Sequence, residues 1–145
     1  MDIDQILDHV RSLQGVLVLT PTAGSEFPEI AWGDAFVYFA PDGQVPQNQQ
    51  PFATIVTKDY PDDATSQLGD GRWRLNVQVG RGALPAVVTT EDPSEADAFV
   101  RHPVYGDLGW AAVVAPGART SERAVELIDL AYADARARWE RRAGA

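Results

Sequence analysis

The sequence contains no cysteine, one methionine and a single lysine, Lys58, in 145 residues. The absence of cysteine excludes disulfide bonds, thiolate nucleophiles and zinc sites with cysteine ligands. No apolar run approaches the roughly 18–20 residues that a transmembrane helix needs. The acidic start Met-Asp-Ile-Asp also lacks the positive charge of a signal peptide. We therefore expect a cytoplasmic protein with no membrane partner.

Positive charge is scarce as well. The chain has 12 basic and 21 acidic residues, a formal net charge of −9. Such a molecule repels phosphate backbones at long range, which argues against nucleic-acid binding. Only the segment from Arg119 onward is slightly basic, with six arginines and five acidic residues. We expect a small molecule or a protein as partner, and a chain that is a monomer or a homodimer.

Hydrophobic periodicity predicts a helix at each end of the chain. Ile3, Ile6, Leu7 and Val10 recur at helical spacing in residues 2–14. The long segment 121–142 carries a second apolar stripe, preceded by Thr120 as the expected N-cap. Between the helices, runs of β-branched and aromatic residues bounded by turn residues predict short strands. The predicted strands cover residues 16–20, 28–32, 35–40, 52–58, 73–79 and 109–115.

These elements predict an α+β fold formed by a single domain, residues 1–145. Short strands joined by turns favour a mostly antiparallel sheet of five to six strands. Each terminal helix has to bury its apolar stripe, and the simplest arrangement packs both helices on one face of the sheet. The expected architecture is therefore a two-layer sandwich with one sheet face left free of helices.

The clearest alternation lies in residues 73–79, Trp-Arg-Leu-Asn-Val-Gln-Val. Its apolar and polar residues point to opposite faces, as in a half-buried antiparallel strand. Arg72, Arg74 and Asn76 belong to the polar face, which is either a binding surface or an ordinary solvated face.

The order of elements, with the strand 73–79, the loop residue His102, the strand at 110–113 and a tyrosine-bearing helix at 127–132, resembles the MmcQ/YjbR-like domains. These are small bacterial α+β proteins, some named for a proposed double-wing DNA-binding shape. The resemblance implies the fold described above and makes weak nucleic-acid binding one alternative. Those domains commonly carry lysines and a further histidine before the Gly-Trp strand, whereas this chain has none in residues 103–108.

The whole chain also resembles a bacterial family of unknown function. The residues that carry this second resemblance are Ile30-Ala-Trp-Gly-Asp34, the segment 51–61 and His102-Pro-Val-Tyr-Gly106. It covers nearly the full length and implies no activity.

His102 is the candidate catalytic residue, because a loop histidine beside a carboxylate can act as an acid or base near neutral pH. Asp34, Asp59 and Asp107 are its candidate partners. The alternative is a ring that packs near the sheet and bonds the backbone. With His9 as the only other histidine, no metal-ligand set is indicated, and we expect neither a metal nor a cofactor.

The candidate ligand-binding residues are aromatic, amide or cationic groups at loops and strand ends: Trp32, Lys58, Arg72, Arg74, Asn76 and Tyr105. For Lys58 the alternative is an exposed residue paired with a neighbouring aspartate. The acidic loop that contains Asp59, Asp62, Asp63 and Asp70 lacks the ligand order of a calcium site, so we interpret it as solvated.

Three functions remain open from the sequence. The first is a non-enzymatic module that binds a small molecule or a protein. The second is a small enzyme with His102 as acid or base. The third is a weak nucleic-acid binder of the double-wing type.

Overall fold

The computed structural model describes residues 1–69 and 71–144, which hold three α-helices and six strands. The helices are α1 (Ile3–Arg11), α2 (Leu84–Val87) and α3 (Ser121–Gly144). The strands are β1 (Val16–Leu19), β2 (Ala35–Phe39), β3 (Ala53–Val56), β4 (Arg74–Gln78), β5 (Phe99–Arg101) and β6 (Trp110–Val114). None of the helices in this part of the chain combines the length and apolar character needed to cross a bilayer.

The six strands form one open sheet in the order β1-β2-β3-β4-β6-β5, and every neighbouring pair is antiparallel. The α+β fold with a mostly antiparallel sheet is therefore confirmed. Leu75 of β4 lies opposite Ile55 of β3 and Val113 of β6, so these apolar residues share one face. Arg74 and Asn76 project from the other face, as the alternation predicted.

Both terminal helices pack on the apolar face, as expected. α1 contributes Ile6, Leu7 and Val10 to the core, and its N-terminus has the capping box that Asp2 and Gln5 form. α3 contributes residues at helical spacing: Ala124, Leu127, Ile128, Ala131 and Ala135. These side chains join Leu75 and Val77 in a single cluster, so the helices leave the opposite sheet face to the loops.

The predicted strand at residues 28–32 is wrong. Glu29–Ala31 forms a short 3-10 helix, in which the amide of Ala31 donates to the carbonyl of Pro28 over 2.9 Å. Pro28 has no amide hydrogen for a sheet, and Ile30 is exposed rather than buried. The sixth strand is instead β5, which forms a hairpin with β6 and lies at the edge of the sheet.

Asp97 holds the start of α3. Its carboxylate accepts hydrogen bonds from the amides of Gly117, Arg119 and Thr120 and from the Thr120 hydroxyl, at 2.6–3.0 Å. The Thr120 side chain, predicted as the N-cap, therefore donates to Asp97. Burial raises the pKa of Asp97, but the bonds from Thr120 and the neighbouring amides outweigh it and hold the pKa below its usual value.

We expect Asp97→Ala to lower the free energy of unfolding by about 1–2 kcal/mol, because it removes the acceptor for the first amides of the segment that leads into α3. Urea denaturation measures the change. Asp8→Ala is the matched control, since Asp8 is an exposed residue of α1 and its replacement should change the free energy by less than about 0.5 kcal/mol. Equal effects of the two substitutions would contradict the assigned role.

Candidate functional site

A pocket of about 450 Å³ opens on the sheet face opposite the helices. Two loops form its sides: the segment between β3 and β4, and the segment between β5 and β6. Aromatic side chains form much of its wall, namely Phe36, Tyr38, Tyr60, Tyr105 and Trp110. Polar side chains lie at its base, namely Thr54, Asp63, Arg74, Asn76 and His102. An apolar cavity with a few convergent polar groups is the usual form of a small-molecule site.

Arg74 is the centre of the polar base and is only 1% exposed. Its Nε donates to Asn76 Oδ1 over 2.8 Å, and its Nη1 donates to Asp63 Oδ1 and Ser66 Oγ over 3.0 and 2.8 Å. Its Nη2 donates to Asp63 Oδ2 over 2.5 Å. The guanidinium therefore makes a bidentate pair with Asp63, which compensates the cost of burying its charge.

Asp63 reaches Arg74 because its loop folds back over the sheet. The side chain is 11% exposed. Burial raises the pKa of Asp63, but the hydrogen bonds and charge of Arg74, with a smaller contribution from His102, hold it below its usual value. Asp63 is thus a carboxylate committed to the buried pair.

His102 lies beside Arg74 and is only 3% exposed. Its Nδ1 accepts hydrogen bonds from the amides of Val104 and Tyr105, both at 3.0 Å. Burial, followed by the charge of Arg74, lowers the pKa of His102 from 6.5 to about 4, although Asp63 opposes this shift. The imidazole is therefore neutral near neutral pH.

The loop after His102 is closed by backbone contacts. The amide of His102 donates to the carbonyl of Trp110, and the amide of Gly106 donates to the carbonyl of His102, both over 3.0 Å. Gly109 ends the loop with a φ of 88°, and a Cβ there would lie 2.6 Å from the backbone carbon of Gly80. Only glycine combines this conformation with such a close approach. Within this loop, the ring centroids of Tyr105 and His102 lie 5.0 Å apart.

A second cluster adjoins the pocket and is centred on Asp34, whose side chain is fully buried. Asp34 accepts bonds from the amide and hydroxyl of Thr57, both at 2.8 Å, and from Lys58 Nζ at 2.9 Å. The Tyr60 hydroxyl also donates to it. Burial, and then the hydrogen bond with Asp34, raise the pKa of Tyr60. This cluster orients one aromatic wall of the pocket.

The structure brings four of the predicted site residues together in the pocket: Arg74, Asn76, His102 and Tyr105. Trp32 and Lys58 belong to the Asp34 cluster, where Lys58 Nζ also donates to the carbonyl of Trp32 over 2.9 Å. The partner of Lys58 is thus Asp34 rather than the adjacent Asp59. The polar face of β4 is covered rather than solvated, since Arg74 and Asn76 are both buried.

The remaining predicted residues lie elsewhere. Arg72 donates to the carbonyl of Ser94, and Asp107 pairs with Arg101 at the surface. Asp59 accepts from the amide of Leu68. Within the ranges that the structure describes, the carboxylate within 4 Å of the His102 ring nitrogens is therefore not that of Asp34, Asp59 or Asp107. It is that of Asp63, whose Oδ2 lies 3.8 Å from Nε2.

Asp63 was not among the predicted site residues. It stands in the acidic loop interpreted as solvated, and for this residue that interpretation is wrong because Arg74 holds it in the buried pair. Asp70 of the same loop lies outside the described residues. The one available signal was Arg74 itself, which lies on the polar face of a strand whose other face is apolar. If loops cover that polar face, the buried guanidinium needs a carboxylate partner.

We also searched the described residues for a set of side chains that could bind a metal ion. Across residues 1–69 and 71–144, no group of three or more histidine, aspartate or glutamate side chains is arranged to hold an ion.

No curated protein and no solved structure matches the chain. The kinship with the MmcQ/YjbR-like domains therefore stays a prediction. A family model described as a family of unknown function, DUF6194, matches residues 1–144. This match confirms the expected membership in a family of unknown function that spans nearly the whole length. The chain belongs to the DUF6194 family.

Proposed function

We propose that this protein is a non-enzymatic binding module that takes a small organic molecule into the pocket on the helix-free sheet face. The observation that carries the proposal is the combination of aromatic walls with a buried, pre-organised polar base around Arg74. A volume of about 450 Å³ accommodates a molecule of drug-like size.

The rigidity of the base supports binding. Arg74 and Asn76 are held by side-chain bonds, and Asn76 Nδ2 also donates to Thr54 Oγ1 over 3.0 Å. A ligand that contacts these groups does not have to order them first, so less of its binding free energy is lost.

The state of His102 favours binding over acid–base catalysis. A general base near neutral pH needs a free nitrogen lone pair and a pKa close to the working pH. Nδ1 is occupied by two backbone amides, and the pKa of the ring is lowered to about 4. Asp63, the adjacent carboxylate, is committed to Arg74.

The charge of the site also disfavours a polyanion. Arg74 is neutralised by Asp63, and Asp62 adds a negative charge to the pocket lining. The charge of the pocket lining is therefore negative, like the net charge of −9 of the whole chain. Nucleic-acid binding is the least favoured of the three functions, because both charges repel phosphates.

We expect a library of small aromatic fragments to yield binders that shift the backbone amide NMR signals of the 102–108 loop. Tyr105→Ala should weaken these binders by about tenfold, because it removes one aromatic wall. Tyr105 is half exposed, so its loss should leave the fold intact. Fragment titrations followed by NMR measure the affinities.

Leu130→Ala is the control for this experiment. Leu130 is 57% exposed on α3, on the other side of the sheet. Its replacement should leave fragment affinity unchanged. A library without any fragment that perturbs the pocket, or equal weakening by both substitutions, would refute the proposed function.

A further inference from the structure

His102 and Arg74 face each other at the base of the pocket. The Arg74 Nη2 atom lies 3.1 Å from His102 Nε2. A guanidinium carries only donors, whereas a neutral imidazole has one donor nitrogen and one acceptor nitrogen. Which of the two ring nitrogens carries the hydrogen therefore decides whether this contact is a hydrogen bond.

Two backbone contacts indicate the tautomer of His102. The amides of Val104 and Tyr105 both donate to Nδ1 at 3.0 Å. Nδ1 must accept, so the hydrogen of the neutral ring lies on Nε2. The alternative tautomer would gain one bond from Arg74 at the expense of two from the backbone.

With this tautomer, each group has one N–H donor that finds no acceptor among residues 1–69 and 71–144. Nε2 is 3.8 Å from Asp63 Oδ2, which is too long for a hydrogen bond. The Nη2 hydrogen of Arg74 that faces Nε2 also lacks an acceptor among the described residues. Both side chains are more than nine-tenths buried, and both line the pocket. Unsatisfied buried donors are costly, so a ligand that supplies an acceptor gains the corresponding free energy.

We infer that the ligand of this pocket is an uncharged planar molecule with a carbonyl group, whose oxygen accepts from His102 Nε2 and Arg74 Nη2 together. This inference rests on the proposed function and names its ligand class.

The surrounding charges select a neutral carbonyl. A carboxylate at this position would lie against Asp63, while an ammonium group would lie against Arg74. The aromatic side chains of Tyr105 and Trp110 provide flat apolar surface for the rest of the molecule.

The tautomer is the first test and needs no ligand. Long-range proton–nitrogen NMR correlations of the ¹⁵N-labelled protein near neutral pH should show the hydrogen of His102 on Nε2. A hydrogen on Nδ1 would overturn the inference, because Nε2 would then accept from Arg74 and no free donors would remain. That result would leave the proposed pocket function standing.

The second test uses three probes with the same ring: benzamide, benzoate and benzylammonium. We expect benzamide to perturb the pocket signals at the lowest concentration of the three. His102→Asn should weaken benzamide by about 3- to 10-fold, since the asparagine oxygen can replace Nδ1 as acceptor while the Nε2 donor is lost. Leu130→Ala should have no effect.

Tighter binding of benzoate or benzylammonium would overturn the ligand class but keep the pocket function. Unchanged benzamide affinity in the His102→Asn variant would show that His102 Nε2 does not donate to the ligand. That result would also overturn the ligand class and keep the pocket function. If none of the three probes perturbs the pocket, the inference fails as well. The wider fragment screen then decides whether the proposed function fails with it.

Discussion

Arg74→Met lowers the free energy of unfolding by about 3–5 kcal/mol, the largest loss that we expect from a single substitution in this protein. The physical reason is the carboxylate that remains. Asp63 is 11% exposed and accepts two bonds from the guanidinium, so without Arg74 it is a largely buried carboxylate that has lost both of these bonds. Urea unfolding monitored by tryptophan fluorescence measures the effect.

The double variant Arg74→Met/Asp63→Leu is the control. It removes the stranded charge together with its partner, and it should recover most of the lost stability because apolar pairs often replace buried ion pairs without cost. A single Arg74→Met variant within about 1 kcal/mol of the native protein would show that the pair is not buried in solution.

Acidification should destabilise the protein as His102 titrates. The pKa of His102 is about 4 in the folded protein and 6.5 in the unfolded chain. Between these values the unfolded state binds more protons, so the free energy of unfolding is constant above the unfolded pKa and falls as the pH decreases through this window. The loss should approach about 3 kcal/mol near pH 4.

Burial is the largest cause of the lowered pKa of His102, and the groups that face the ring modify it. Arg74 on β4 disfavours the imidazolium, Asp63 on the covering loop favours it, and the Tyr105 ring packs beside it. Urea unfolding at pH values from about 7 to about 4.5 measures the slope. His102→Asn should remove this part of the slope, because asparagine does not titrate. An identical slope in both proteins would assign it to other groups.

Much of the fold was predictable from local pattern. The helical spacing of Ile6, Leu7 and Val10 indicates the apolar face of α1. The two-residue alternation around Leu75 likewise indicates the apolar face of β4, and both faces are buried as expected. The prediction failed where local pattern is weak. Residues 28–32 carry a strand-like composition but form a 3-10 helix, while the three-residue strand β5 depends on its hairpin with β6.

The site was predictable only in part. Arg74, Asn76, His102 and Tyr105 were all named from the sequence, because polar residues on a strand or beside glycines stand out locally. Their mutual arrangement was not. Asp63 was missed because its partner lies eleven residues away, on a strand that its loop reaches only by folding over the sheet.

The sequence by itself determined the α+β class, the sheet face that the helices cover and the residues that the other face presents. These follow from periodicity, which depends on neighbours along the chain. Only the tertiary structure decided that Asp63 neutralises Arg74 and that two backbone amides hold Nδ1 of His102. Such contacts depend on how loops fold over the sheet, and their energy comes from burial and from bond geometry that no short window of sequence contains.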